Sequence, residues 1–180
     1  MEMLQSKEVE AFYSKCLTIT FDRRLKSPES GKVFLVDVDR RIPLPTPIRS
    51  GAISVSHNIP PYVSTETKFR LARELLDIYR DQARLVITTK LHCALPCIAM
   101  GIPVIFFGDR TNYRVSILED LGVGIHRYAL QESQIPRFLH RARLLISSRS
   151  VNWNPDPVYI EAEKDGLRKL VRDRLAQYSV

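Results

Sequence analysis

Glycine is scarce, seven in 180 residues, and no glycines fall in a G-x-G-x-x-G or G-x-x-x-x-G-K run, so the usual glycine-rich phosphate loops are missing. A G-x-S-x-G elbow is also missing, which removes the commonest hydrolase reading. No apolar run approaches the ~18 residues that a membrane span requires. The longest, around Ile102 to Phe107, is broken by Pro103 and closed by Gly108-Asp109-Arg110. Met1 to Glu10 carries acids and polar residues where a signal peptide would be apolar. Cysteine is limited to Cys16, Cys93 and Cys97, an odd number in apolar surroundings, which suits reduced thiols in a cytosol-like compartment. Cys93 and Cys97 are not in C-x-x-C spacing, and no second ligand pair joins them and His92, so buried thiols are expected and no metal. The expectation is a soluble cytoplasmic protein without a membrane span.

What is present fits one domain able to bury a core: 44% of residues are hydrophobic and 26% charged, a globular balance. Lys and Arg outnumber Asp and Glu by 27 to 20, which favours acidic partners. The excess is scattered, however, and aromatic residues do not interleave with it as in single-strand binders, so nucleic acid is not expected as a partner.

Short apolar runs alternate with stretches of helical period, the pattern of an α/β fold with a parallel sheet covered by helices on both faces. Strands are expected at Val33 to Val38, Ala52 to His57, Ala83 to Thr89 and Pro103 to Phe107, with shorter ones near Gly124 to Tyr128 and at Cys16 to Thr20. Pro43, Pro45 and Pro47 suggest a stiff extended loop. Ser64-Thr65-Glu66-Thr67 offers cap chemistry for a helix to about Tyr79, whose Phe69, Ala72, Leu75, Leu76 and Tyr79 form one face. A short helix over Leu91 to Met100, closed by Gly101, follows the third long strand. Helices near Val115 to Leu121, Ser133 to Ser147 and Pro157 to Tyr178 complete a single domain over 1–180, the last of them a packing helix.

Ligands of open parallel sheets bind beyond the carboxyl ends of the strands, and Thr88-Thr89-Lys90-Leu91-His92 occupies such a place. Pro96 suggests that the helix has only just begun, near Leu91 to Cys93. Lys90, His92, two threonine hydroxyls and the free amides from Leu91 to Cys93 would then form a phosphate or carboxylate site. On local physics Lys90 could equally be a solvated loop residue and His92 an inert cap. His57 has the same position after its own strand, although a histidine before Asn58 and Pro60 also suits a simple turn. Surface positions suffice for His126 and His140, and Gly122-Val123-Gly124 reads as a helix cap and turn. Asp37 and Asp39 lack the further ligands a cation needs; salt bridges to Arg40 or Arg41 are expected.

The stretch from Ala83 to Phe107, a strand, Thr-Thr-Lys-Leu-His, a short helix, Gly-Ile-Pro and another strand, resembles the signature of the polysaccharide pyruvyl transferase family. Cys16 to Thr20, Val33 to Val38 and Ser56-His57 are similar to elements preceding it, so that the likeness runs to about Tyr128. The resemblance implies a Rossmann-like domain corresponding to the C-terminal half of a glycosyltransferase-B-like fold. It also implies transfer of pyruvate from phosphoenolpyruvate, a co-substrate with no further cofactor, to a sugar diol of a glycan or lipid-linked acceptor during exopolysaccharide or cell-surface glycan synthesis. A lone half-domain is expected to pair with itself or with a separate N-terminal half. In this light His92, and secondarily His57, become the acid or base, since imidazole ordinarily titrates near neutrality. Lys90, with Leu91, Thr88 and Thr89, becomes the anion holder. The family motif has arginine where this chain has Lys90, exchanging a two-pronged clamp for a point charge. The alternatives are a sugar-nucleotide glycosyltransferase half, whose diphosphate would take the same helix end, and a noncatalytic binding fragment.

Overall fold

The computed structural model describes residues 15–40, 42–126 and 150–178. Its centre is a five-stranded, all-parallel sheet of β1 (Lys32–Val36), β2 (Ala52–Val55), β3 (Ala83–Thr88), β4 (Val104–Phe107) and β5 (Ile125–His126), in the order β2-β1-β3-β4-β5. The crossover helices are α1 (Thr46–Gly51), α2 (Thr65–Gln82), α3 (Leu91–Ala99) and α4 (Ser116–Asp120), and α5 (Glu161–Tyr178) follows later in the chain. This is the doubly wound, Rossmann-like α/β arrangement expected from alternating strands and helices.

Central strands of such sheets are covered on both faces and therefore apolar nearly throughout. In β3, Ala83, Leu85, Val86, Ile87 and Thr88 are buried, and all four residues of β4 are. Alternate residues feed two cores. Phe34, Val36, Val86, Val104 and Phe106 meet Tyr79 of α2, the buried length of α3, and Ile160 and Leu167. Val33, Leu85, Ile87, Ile105 and Phe107 meet Ile42, Ile48, Val151 and Trp153.

The strand order reverses between β1 and β3. From β1 the chain moves outward to β2, then returns through α2 to the other side of β1. In parallel α/β sheets the crevice beyond the carboxyl ends of two such strands is where ligands bind. Asp37 directly follows β1 there, and Thr89-Lys90 directly follows β3.

Local expectations fail in three places. Cys16 to Thr20 is not a strand: Leu17–Thr20 forms a 3₁₀ turn, in which the Ile19 amide donates to the Cys16 carbonyl at 3.0 Å and the Thr20 hydroxyl donates to the Leu17 carbonyl at 2.8 Å. These local bonds compete successfully with a sheet ladder. The proline-rich segment is not extended throughout either. Helix α1 begins at Thr46 with Pro47 in its first turn, where the missing amide costs nothing and the fixed φ helps. Strands β1 and β2 stop at Val36 and Val55, short of the expected Val38 and His57. The expected helix over 133–147 lies outside the described residues.

Helix α3 is anchored at its C-terminal end by a Schellman arrangement. The Ile102 amide reaches back to the Cys97 carbonyl and the Gly101 amide to the Ile98 carbonyl, each at 2.9 Å, with Gly101 at φ +71°. The Ala99 carbonyl, still without a helix partner, accepts from the buried Lys164 ammonium of α5 at 2.8 Å. Thus α5 fixes the helix whose other end reaches the sheet's carboxyl edge.

Candidate functional site

The turn after β3 is built by its own side chains. The buried Thr88 hydroxyl donates to the Val36 carbonyl at 3.1 Å and accepts from the Lys90 amide at 3.0 Å. The Thr89 hydroxyl donates to the Asp37 carbonyl at 2.9 Å. Both hydroxyls therefore join β3 to β1. Thr88, expected as a ligand group, is committed inward and acts by shaping the turn.

Lys90 is then the N-cap of α3 and is half-buried. Its carbonyl accepts from the amides of Cys93 and Ala94, both at 3.0 Å. Of the expected trio of free amides, Cys93 is thereby engaged, and those of Leu91 and His92 remain for a ligand. Helix α3 starts at Leu91 as expected, but Pro96 is its sixth residue, beyond the turn in which a missing amide is harmless. The residue four places after His92 thus has no N–H to offer the His92 carbonyl.

Asp37 adopts φ +50°, in the left-handed region that aspartate tolerates better than most residues. Arg41, one of the two expected salt-bridge partners, lies outside the described residues; the Asp37 carboxylate gathers the end of β2. It accepts from the Ser56 hydroxyl at 2.7 Å and the His57 amide at 3.1 Å, with Asn58 Nδ2 at 3.5 Å. Asp37 consequently touches all three strand ends, its own, that of β2 through its carboxylate and that of β3 through its carbonyl.

His57, so placed, packs against α2. Its Nε2 lies 2.8 Å from the hydroxyl of Tyr79, which is buried and sits edge-on to Phe34 with ring centroids 5.2 Å apart. Burial pushes the Tyr79 phenol far above its ordinary range, so it remains protonated. Burial also lowers the His57 pKa, the Lys90 ammonium lowers it further, and the Asp37 carboxylate opposes both.

His57 and His92 line one cleft of about 280 Å³ between α2, the start of α3 and the 3₁₀ turn. The rest of its wall is mainly apolar, including Phe21, Leu75, Leu76, Tyr79, Cys93 and Pro96. Lys90 does not line this cleft, although its charge acts on His57. The structure thus places the two expected histidines on one cleft, and Asp37 and Tyr79, which were not among the expected site residues, hold one of them. A larger cleft of about 800 Å³ lies near the amino ends of the strands, beside residues 21–28. Two of its cations are occupied there: Arg80 pairs with Asp77 and Asp81, and Arg24 donates to the Ala83 carbonyl at 2.6 Å. His126, expected at the surface, is half-buried against Phe107, with ring centroids 5.7 Å apart. His140 lies outside the described residues.

Among the described residues no group of three or more histidine, cysteine or acidic side chains could hold a metal, and no helix is long and apolar enough to cross a membrane. No curated protein and no solved structure matches the chain. A family model described as polysaccharide pyruvyl transferase matches residues 10–110, more than half of the 180 and including every residue of the switch-point turn, His57, Tyr79 and His92. The match ends before β5 and α5, short of the expected reach to Tyr128. With β1 to β4 and the two-histidine cleft inside the matched segment, the chain belongs to the polysaccharide pyruvyl transferase family.

Proposed function

We propose that this protein transfers pyruvate from phosphoenolpyruvate to a sugar diol, as a cyclic ketal, during synthesis of an exopolysaccharide or another cell-surface glycan. The observation that carries this reading is the convergence of His57 and His92 on one cleft beside the Lys90-capped start of α3, within the family match. Phosphoenolpyruvate is a small, doubly anionic molecule. An ammonium and two free amides at a helix N-terminus suit its charged end, and the partly apolar cleft suits its methylene carbon.

The reaction balances without a redox partner. Protonation of C3 turns the methylene into a methyl and leaves C2 as an oxocarbenium-like centre. Two sugar hydroxyls add to C2, forming two C–O bonds as the bond from C2 to the phosphate oxygen breaks. Of the two hydroxyl protons, one balances that gained by C3 and the other leaves with inorganic phosphate. His92, exposed at the mouth of the cleft, is the residue proposed to deliver or remove a proton. Lys90 and the amides of Leu91 and His92 hold the anion and stabilise the negative charge on the departing phosphate. Lysine in place of the family's arginine supplies this charge at one point, with less control of orientation.

Acceptor-dependent release of inorganic phosphate from phosphoenolpyruvate, with mass spectrometry of the glycan product, tests the proposal. It predicts phosphate and ketal in equal amounts, both lost in His92→Ala. Turnover of a nucleotide sugar with none of phosphoenolpyruvate would favour a glycosyltransferase, and inertness toward both a binding fragment.

A further inference from the structure

His57 and His92 share a cleft but not an environment. His92 is exposed, whereas His57 is held by its backbone amide on Asp37 and by its ring on Tyr79. The Tyr79 hydroxyl is the group that decides what this ring can do. It belongs to a side chain only 1% exposed, and a buried O–H left without an acceptor is costly. His57 Nε2, 2.8 Å away, is the acceptor that the described residues offer it. If Nε2 carried the ring proton instead, it would donate to the phenol oxygen, and the buried phenol proton would be left without an acceptor among the described residues.

We infer that Tyr79 is a positioning residue that donates to His57 Nε2, fixes the Nδ1–H tautomer, and makes His57 a neutral hydrogen-bond donor in the cleft, leaving proton transfer to His92. The inference rests on the functional reading only for what the donor binds, namely an oxygen of the anionic substrate. The charged and titratable groups around His57 are Asp37 at the end of β1, Tyr79 on α2, and Lys90, His92 and Cys93 at the start of α3. Burial and the Lys90 ammonium keep the ring neutral against Asp37, and a protonated ring could not accept from Tyr79 at all. A neutral imidazole employed as a hydrogen-bond donor is an established catalytic device. The two histidines are thus a fixed donor and a free acid or base, not an interchangeable pair.

Nitrogen-15 NMR of the imidazoles in the intact chain tests the assignment without substrate. The expected His57 spectrum has Nδ1 protonated and Nε2 as an acceptor at neutral pH. Tyr79→Phe, which keeps the ring packed on Phe34, should return the ring to a majority Nε2–H form. A wild-type spectrum with Nε2 protonated overturns the inference, and so does a tautomer unchanged in Tyr79→Phe. The wild-type spectrum stands alone if that variant folds poorly. Phosphoenolpyruvate titrations add a second readout. His57→Asn, whose amide can donate from near the Nδ1 position, should bind within about threefold of wild type, and His57→Ala about tenfold more weakly. Equal loss in both variants would overturn the donor role. Absence of any phosphoenolpyruvate binding with the expected tautomer intact would instead count against the proposed function.

Discussion

Replacing Lys164 by methionine would measure how strongly α5 holds the helix that carries the site. The ammonium is fully buried and donates to the Ala99 carbonyl and to a Glu161 carboxylate oxygen, each at 2.8 Å. Methionine keeps much of the stem's packing and removes the charge with both bonds. Hydrogen bonds to charged groups contribute about 1.5–3 kcal/mol each. Against them stands the desolvation of the ammonium, of the order of several kcal/mol, which the methionine variant avoids. The Glu161 side chain is 49% exposed and returns to water, so no buried charge is stranded. What remains is the orphaned Ala99 carbonyl at the end of α3, and leaving such a group unmatched costs about 1–3 kcal/mol. The expected net loss is about 2 kcal/mol, or roughly 4–8 °C in Tm for a domain of this size. Urea unfolding should show a lower midpoint with an unchanged slope, and Glu161→Gln should lose less than about 1 kcal/mol. A Lys164→Met protein as stable as wild type would refute the reasoning by showing that burying the ammonium costs as much as its bonds return.

Lys90→Arg should tighten phosphoenolpyruvate binding by ~1 kcal/mol, about fivefold, through a second charge-assisted hydrogen bond; calorimetry showing weaker binding would count against Lys90 as the anion holder. Thr88→Val keeps the shape but leaves the Val36 carbonyl and the Lys90 amide unmatched, so unfolding should show a loss of about 1–3 kcal/mol, and unchanged stability would mean that the turn does not depend on that hydroxyl. Burial lowers the pKa of both His57 and His126 from the ordinary 6.5, so the unfolded chain binds more protons in mildly acidic solution. Stability should accordingly fall as pH drops below the ordinary value, and His57→Gln should flatten that fall in thermal melts between neutral and mildly acidic pH; a slope unchanged by the substitution would remove His57 from the explanation.

The segment from Ala83 to Phe107 was legible because two buried strands and a buried helix leave nearly continuous apolar runs, and Gly101 marks the left-handed end of the helix between them. Helix α2 was equally plain from Ser64, whose hydroxyl accepts from the Thr67 amide at 3.2 Å, and from its apolar spacing. Composition misled at Pro43 to Pro47, because proline both stiffens extended chain and starts helices. It misled again at Cys16 to Thr20, where threonine hydroxyls closed a turn in residues that also suit a strand. In the site, the histidines could be seen because each follows a strand. Asp37 and Tyr79 could not, since their roles depend on β1 lying between β2 and β3, and strand order is not written in any local pattern. Tyr79 was visible only as one more apolar residue on the face of α2, although a phenol at a buried helix position needs a partner for its hydroxyl.

The most direct test of the account titrates phosphoenolpyruvate into the intact chain by calorimetry, with His92→Ala and Lys90→Met alongside. The predicted result is saturable binding to wild type, partly retained in His92→Ala because the ammonium and helix amides remain, and strongly weakened in Lys90→Met. Binding that is absent, or indifferent to both substitutions, would contradict the claim that the turn between β3 and α3 holds the substrate anion.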